Sequence, residues 1–143
     1  MFIGEYQHNL DPKGRLAVPA KFRKELAKGA VVTREVDDCL SLYPKADWKK
    51  YADKLAALPT SKADARAFAR LKLGSAMAVD IDKQGRMLIP EYLRKAAGLG
   101  KQAVIIGLYN RLEIWDESKW NKYKQGTDAK SSEIAESLGE MGV

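Results

Sequence analysis

Residues 9–27 read NLDPKGRLAVPAKFRKELA, and residues 80–98 read DIDKQGRMLIPEYLRKAAG. Aligned without a gap, the two stretches share Asp11/Asp82, Gly14/Gly85, Arg15/Arg86, Pro19/Pro90, Arg23/Arg94 and Lys24/Lys95. Apolar residues coincide at Leu10/Ile81, Leu16/Met87, Val18/Ile89 and Phe22/Leu93. The echo continues downstream with one residue of slippage, CLSLYPKADWKKY (39–51) against RLEIWDESKWNKY (111–123). Two copies are too few for a solenoid. They predict a pseudo-twofold body that presents one chemical device at two places.

The repeated core is Asp-x-x-Gly-Arg followed by alternating apolar residues and a proline. Asp11 and Asp82 open a turn, because Asp can accept hydrogen bonds from the backbone just beyond it. Gly14 and Gly85 supply a residue free to adopt positive φ. Leu16 and Val18 then recur with period two, as a strand requires. Pro19 and Pro90 end that strand and begin a short helix, where the missing N–H costs nothing.

Arg15 and Arg86 start the outgoing strands, one residue past each bend. Arginine is suited to bidentate contact with a guanine edge or a phosphate. A two-stranded β-ribbon fits the DNA major groove. Lys13 in the first turn and Lys83 in the second add positive charge. The pattern also admits pairing of Asp11 with Arg15 and of Asp82 with Arg86 across the turn. Arg23 and Arg94, on the short helices, either add phosphate contacts or brace the loops by pairing with Asp11 and Asp82.

Each copy reads as strand, turn, strand, short helix, strand, strand, helix. The strands are expected at 3–10, 15–19, 30–36 and 39–44, and again at 77–81, 86–90, 102–109 and 111–116. Gly29 stops the first short helix, and further helices are expected at 45–57 and 117–125. Between the copies, residues 61–75 are strongly helical, with Pro59 and Thr60 as a stop and Ser61 as a cap. Lys62, Arg66 and Arg70 recur every four residues, which favours a solvated face over a phosphate-facing stripe. The polar segment from Gly126 onward reads as a loosely held helix. The organisation expected is a first repeat at 1–58, a helical linker at 59–76, a second repeat at 77–125 and a tail at 126–143.

The bulk composition is consistent with this reading. The 143 residues hold 45% hydrophobic side chains, enough for a globular core. The net charge is +6. Residues 1–74 carry 15 Lys/Arg against 9 Asp/Glu, so the whole excess lies in the first half. Such a balance favours polyanionic partners. One cysteine, Cys39, and one histidine, His8, exclude an internal disulfide and a cysteine-built zinc site, and they point to a reducing compartment. No cofactor or metal is called for. The opening MFIGEYQHNLD does not read as a signal peptide, and no apolar run reaches membrane length.

The opening MFIGEYQHNLDPKGRLAVPAKFR, LYPKADW, RLKLGSA, and DKQGRMLIPEYLRKAAGL with LEIWDESKW together resemble the MraZ family of bacterial transcriptional regulators, built from two SpoVT/AbrB-like domains. The resemblance covers residues 1–123. It implies an α+β fold in which two β-hairpin–helix–hairpin units interlock into a pseudo-twofold β-barrel flanked by helices. It further implies a ring-shaped homo-oligomer that binds short G-rich direct repeats in the promoter of the division and cell-wall gene cluster, its own promoter included. The implied action is mainly repression, in the cytoplasm at the nucleoid, with no membrane or small-molecule partner. The family's DNA contacts carry over to Arg15, Arg86 and Lys13. The second loop departs from the first, with Lys83 where the first has Pro12 and Gln84 where it has Lys13.

Two other readings compete. AbrB-like units also occur in antitoxins, and residues 126–143 stand where a toxin-holding tail would, but such tails usually follow a single half-unit that dimerises and this chain carries both halves. Gly74-Ser75 resembles the self-cleaving pair of pyruvoyl enzymes, but its place at a helix end suits Gly74 as a simple C-cap; no enzyme activity is expected. The aromatic pairs Tyr43/Trp115, Trp48/Trp120 and Tyr51/Tyr123 suit core or subunit packing better than base stacking.

Overall fold

A computed structural model describes all 143 residues. The first repeat contributes β1 (Phe2–Asn9), β2 (Arg15–Ala17), a 3-10 turn (Ala20–Phe22) leading into α1 (Arg23–Leu26), β3 (Ala30–Arg34), β4 (Leu40–Pro44), α2 (Lys45–Ala56) and α3 (Ala63–Gly74). The second contributes β5 (Met77–Val79), β6 (Arg86–Leu88), α4 (Glu91–Ala97), β7 (Gln102–Tyr109), β8 (Leu112–Asp116), α5 (Glu117–Ala129) and α6 (Ser131–Ser137). The chain is thus mixed α+β with antiparallel strand pairing throughout.

The strand partners are exchanged between the repeats. A six-stranded sheet runs β1-β7-β8-β4-β3-β5, and β2 pairs with β6 as a separate ribbon. The opening strand of each repeat therefore lies against the third strand of the other. Only the hairpins β3–β4 and β7–β8, and a bridge between Leu10 and Leu16, join strands of the same repeat. An isolated hairpin is at best marginal in water. Exchange gives both copies one shared core.

That core follows from the period-two alternation. Leu16 and Met87 face each other across the ribbon and are buried on its inner side. They join Phe22 and Leu26 of the first short helix, Leu93 and Ala97 of the second, and Val32, Leu40, Leu42, Ile105, Leu112 and Ile114 of the sheet. Phe22 also packs edge-on against Phe2, with ring centroids 5.1 Å apart.

The intervening strand residues face the other side of the sheet, towards α2, α3 and α5. Tyr43, Trp48 and Tyr51 form one aromatic cluster there, and Trp115, Trp120 and Tyr123 form its counterpart, with centroids 5.0–6.1 Å apart. These rings pack between sheet and helix, on the face opposite the ribbon. Lys72 is wholly buried on the same side, where its Nζ donates to Glu35 at 2.6 Å and to the carbonyl of Arg34 at 2.8 Å. Lys62, Arg66 and Arg70 stay exposed.

Two helix ends differ from expectation. Lys62, not Ser61, precedes α3, and no side chain caps that end. Gly74 remains inside the helix and Ser75 is the cap residue. The Ser75 hydroxyl donates to the carbonyl of Leu71 and accepts the N–H of Arg34, so it fastens the helix end to β3. α5 runs through Gly126 to Ala129, and every residue of α6 is exposed.

Candidate nucleic-acid interface

The two repeated turns have the same construction. The N–H of Gly14 donates to the carbonyl of Asp11, and that of Gly85 to Asp82, each at 2.9 Å. The Asp11 carboxylate accepts the backbone N–H groups of Lys13 and Arg15, both at 2.9 Å. Asp82 accepts those of Gln84 and Arg86 in the same way. The hydrogen bond from the following arginine's backbone leads the effects that hold both carboxyls below the ordinary carboxylate range.

Each aspartate also accepts from the Nε of its arginine, at 2.6 Å for Asp11–Arg15 and 3.2 Å for Asp82–Arg86. The pairing that the spacing admits is therefore present in both copies. It does not consume the guanidinium. The Nη groups of Arg15 and Arg86 make no hydrogen bond within the chain. One edge of each planar fork is anchored while the other keeps the donors that a guanine or phosphate needs.

The ribbon brings the two arginines together. Arg15 lies opposite Leu88, Leu16 opposite Met87, and Ala17 opposite Arg86. Arg15 and Arg86 consequently share the outer face, diagonal to one another, with Cα atoms on the order of 7–8 Å apart. Both side chains are about one-third exposed, at 34% and 30%. The ladder extends one residue each way, since Val18 donates to the carbonyl of Gly85 and Ile89 to that of Gly14. The two turns thus stand at opposite ends of a ribbon roughly 14 Å long at ordinary strand rise. Lys13 and Lys83 are exposed in those turns.

Arg23 and Arg94 brace the loops, but not through Asp11 or Asp82. Each lies beneath the turn of the other repeat. A methyl group on Gly14 would collide with the Arg94 guanidinium, and one on Gly85 with that of Arg23. Gly14 and Gly85 have φ of +86° and +77°, which L side chains adopt only with strain. The glycines therefore satisfy two demands, a left-handed turn and the close approach of a cation. Arg23 donates through Nε to the carbonyl of Val18 at 3.0 Å, whereas the buried Nε of Arg94 has no partner. The crossed positions escape a reading of local sequence. The only available signal was that Arg23 and Arg94 recur at matching places in both copies.

Comparison with known proteins gives a consistent class. Several curated relatives of this chain are named as transcriptional regulators rather than enzymes. One from Heliobacterium modesticaldum is 49% identical over 138 residues, covering 96% of each chain. Another from Natranaerobius thermophilus is 46% identical over 143 residues, covering all of both. A third, from Caldanaerobacter subterraneus, is 44% identical over the same full length. All three are named "Transcriptional regulator MraZ".

The family described as "MraZ protein, putative antitoxin-like" matches residues 1–71 and 73–139, one match per repeat. The chain belongs to the MraZ family. Among solved structures, a solution structure from Pyrococcus horikoshii aligns over 80% of this chain and 88% of that one, at 13% identity and a TM-score of 0.33. No helix of this chain is long and apolar enough to cross a membrane.

Proposed function

We propose that this chain is a transcriptional regulator that binds duplex DNA through the outer face of the β2–β6 ribbon. The observation that carries the reading is the pair of guanidiniums on that face, each anchored through Nε with its Nη groups unengaged. The major groove is about 12 Å wide and admits a two-stranded ribbon. Arg15 and Arg86 contact guanine edges or the phosphates beside them. Lys13 and Lys83, exposed in the two turns, neutralise phosphates from the flanks. Asp11, Gly14, Asp82 and Gly85 shape the loops and make no contact with DNA themselves.

The six-stranded sheet and the ribbon, on either side of one core, are the two walls of a small interlocked barrel. One bidentate Arg–guanine contact discriminates by only about 1–3 kcal/mol, so a single protomer binds a short box weakly. Assembly of copies into a ring raises the effective concentration of neighbouring sites. Boxes repeated about every 10 bp fall on one side of the duplex. The DNA so read is a set of G-rich direct repeats upstream of the division and cell-wall gene cluster and of this chain's own gene. Occlusion of polymerase there gives repression, in the cytoplasm at the nucleoid.

The test is a gel shift on the chain's own upstream region at physiological salt. Arg15→Ala and Arg86→Ala should each weaken binding by at least about 10-fold, since one bidentate contact is lost from every bound protomer. Unchanged affinity in either variant removes that arginine from the site.

A second reading, an antitoxin-like protein-interaction module, draws on the tail. Ile134, Leu138 and Met141 recur at helical spacing in the tail and are all exposed. A stoichiometric small protein that leaves with deletion of residues 131–143, while DNA binding persists, would support it.

A further inference from the structure

The outer face of the ribbon is symmetric in its arginines and asymmetric in what lies beside them. Arg15 faces Leu88, whereas Arg86 faces Ala17. Leu88 is 56% exposed, while Leu16 and Met87 fill the core from the inner face. A scattered exposed leucine needs no explanation. This one is a directly opposed cross-strand neighbour of a guanidinium whose free edge faces no protein acceptor. Side chains at opposed positions stand on the same face of the ribbon, so whatever duplex Arg15 touches also lies within reach of Leu88. On the major-groove edges of the bases, the apolar group available to such a side chain is the C5-methyl of thymine.

We propose that Leu88 reads a thymine methyl beside the base contacted by Arg15. The inference rests on the DNA-binding reading above and refines its specificity. The ribbon then carries two unlike reading heads. Arg15 with Leu88 selects a guanine next to a thymine, and Arg86 with Ala17 selects a guanine with a weaker methyl preference, because alanine offers one short methyl where leucine offers a branched, longer side chain. The consequence is directional. A symmetric ribbon suits a palindromic box, but one bulky apolar side chain at one end makes the two orientations on DNA unequal. Successive copies then bind in the same orientation, as direct repeats require.

The test uses the full chain and a box selected from a random-sequence duplex library. Each thymine of that box is replaced in turn by deoxyuridine, which deletes the methyl and keeps the pairing edge. One replacement should weaken wild-type binding about fourfold, the factor for withdrawing one methyl from apolar contact. Leu88→Ala should lose most of its sensitivity to that replacement while keeping its salt dependence. Ala17→Leu combined with Leu88→Ala should move the sensitive thymine to the other end of the box. Equal methyl sensitivity in wild type and Leu88→Ala overturns the proposal. So does a change of oligomer size in Leu88→Ala by sedimentation, which would assign Leu88 to contact between copies. Failure of the wild type to select any box refutes the DNA-binding reading itself, and this refinement with it.

Discussion

Gly85→Ala tests the crossed bracing of the loops, because its cost should depend on a residue 62 positions away. Gly85 sits at φ +77°. Holding an alanine there costs about 1–2 kcal/mol. The added methyl also lands on the Arg23 guanidinium, which must leave. That move breaks its hydrogen bond to the Val18 carbonyl, a bond from a charged donor worth about 1.5 kcal/mol at the low end suited to a partly exposed group. The expected total is about 3 kcal/mol.

In an Arg23→Ala background only the backbone strain remains, so the same substitution should cost about 1–2 kcal/mol. The double-mutant cycle should therefore show coupling of about 1.5 kcal/mol between Gly85 and Arg23. Urea denaturation of the four proteins at matched concentration measures it. Additive effects would mean that Arg23 does not lie under the second loop, and the account of why the turn needs glycine would fail.

Lys13→Ala should reduce the slope of log affinity against log salt by about 0.9, the value for one phosphate contact; an unaltered slope removes Lys13 from the interface. Asp11 and Asp82 have lowered carboxyl values, so their contribution to stability is present above the ordinary carboxylate range and is lost as pH falls through their lowered folded values. Denaturation midpoints followed below pH 5 should therefore drop less steeply in Asp11→Asn with Asp82→Asn than in wild type, and parallel acid limbs would contradict this. Lys72→Ala leaves the Glu35 carboxylate half-buried without its cation and should cost about 3 kcal/mol. A cost below about 1 kcal/mol in a denaturant titration would show that the pair is no more than a surface bridge.

Much of the fold was legible because its rules are local. The Asp-to-Gly turns, the period-two strands after them and the prolines that start the short helices each depend on a few neighbouring residues. Both turns formed as their residue types require. Other features depended on distant partners. The spacing of Lys62, Arg66 and Arg70 marked an exposed face, and all three are exposed. Lys72 lies two residues past Arg70, about 200° around the helix, and so falls on the inner side. Ala65, Phe68, Ala69 and Lys72 share the spacing of a buried stripe, which was the available signal. Its partner, Glu35, lies on the strand side of the contact and has no sequence mark of its own.

The duplicated sequence by itself determined the device: an aspartate that closes a turn, a glycine that permits it, and an arginine set at the start of the next strand. These outcomes follow from backbone geometry and hydrogen-bonding capacity within five residues. Only the tertiary structure decided that the two devices stand at opposite ends of one ribbon with their arginines on the same face, and that each is bedded on an arginine from the other copy. Strand exchange is the physical reason. Neither repeat can bury its apolar face alone, so each takes its partner strands from the other, and the two guanidiniums come to one surface as a result.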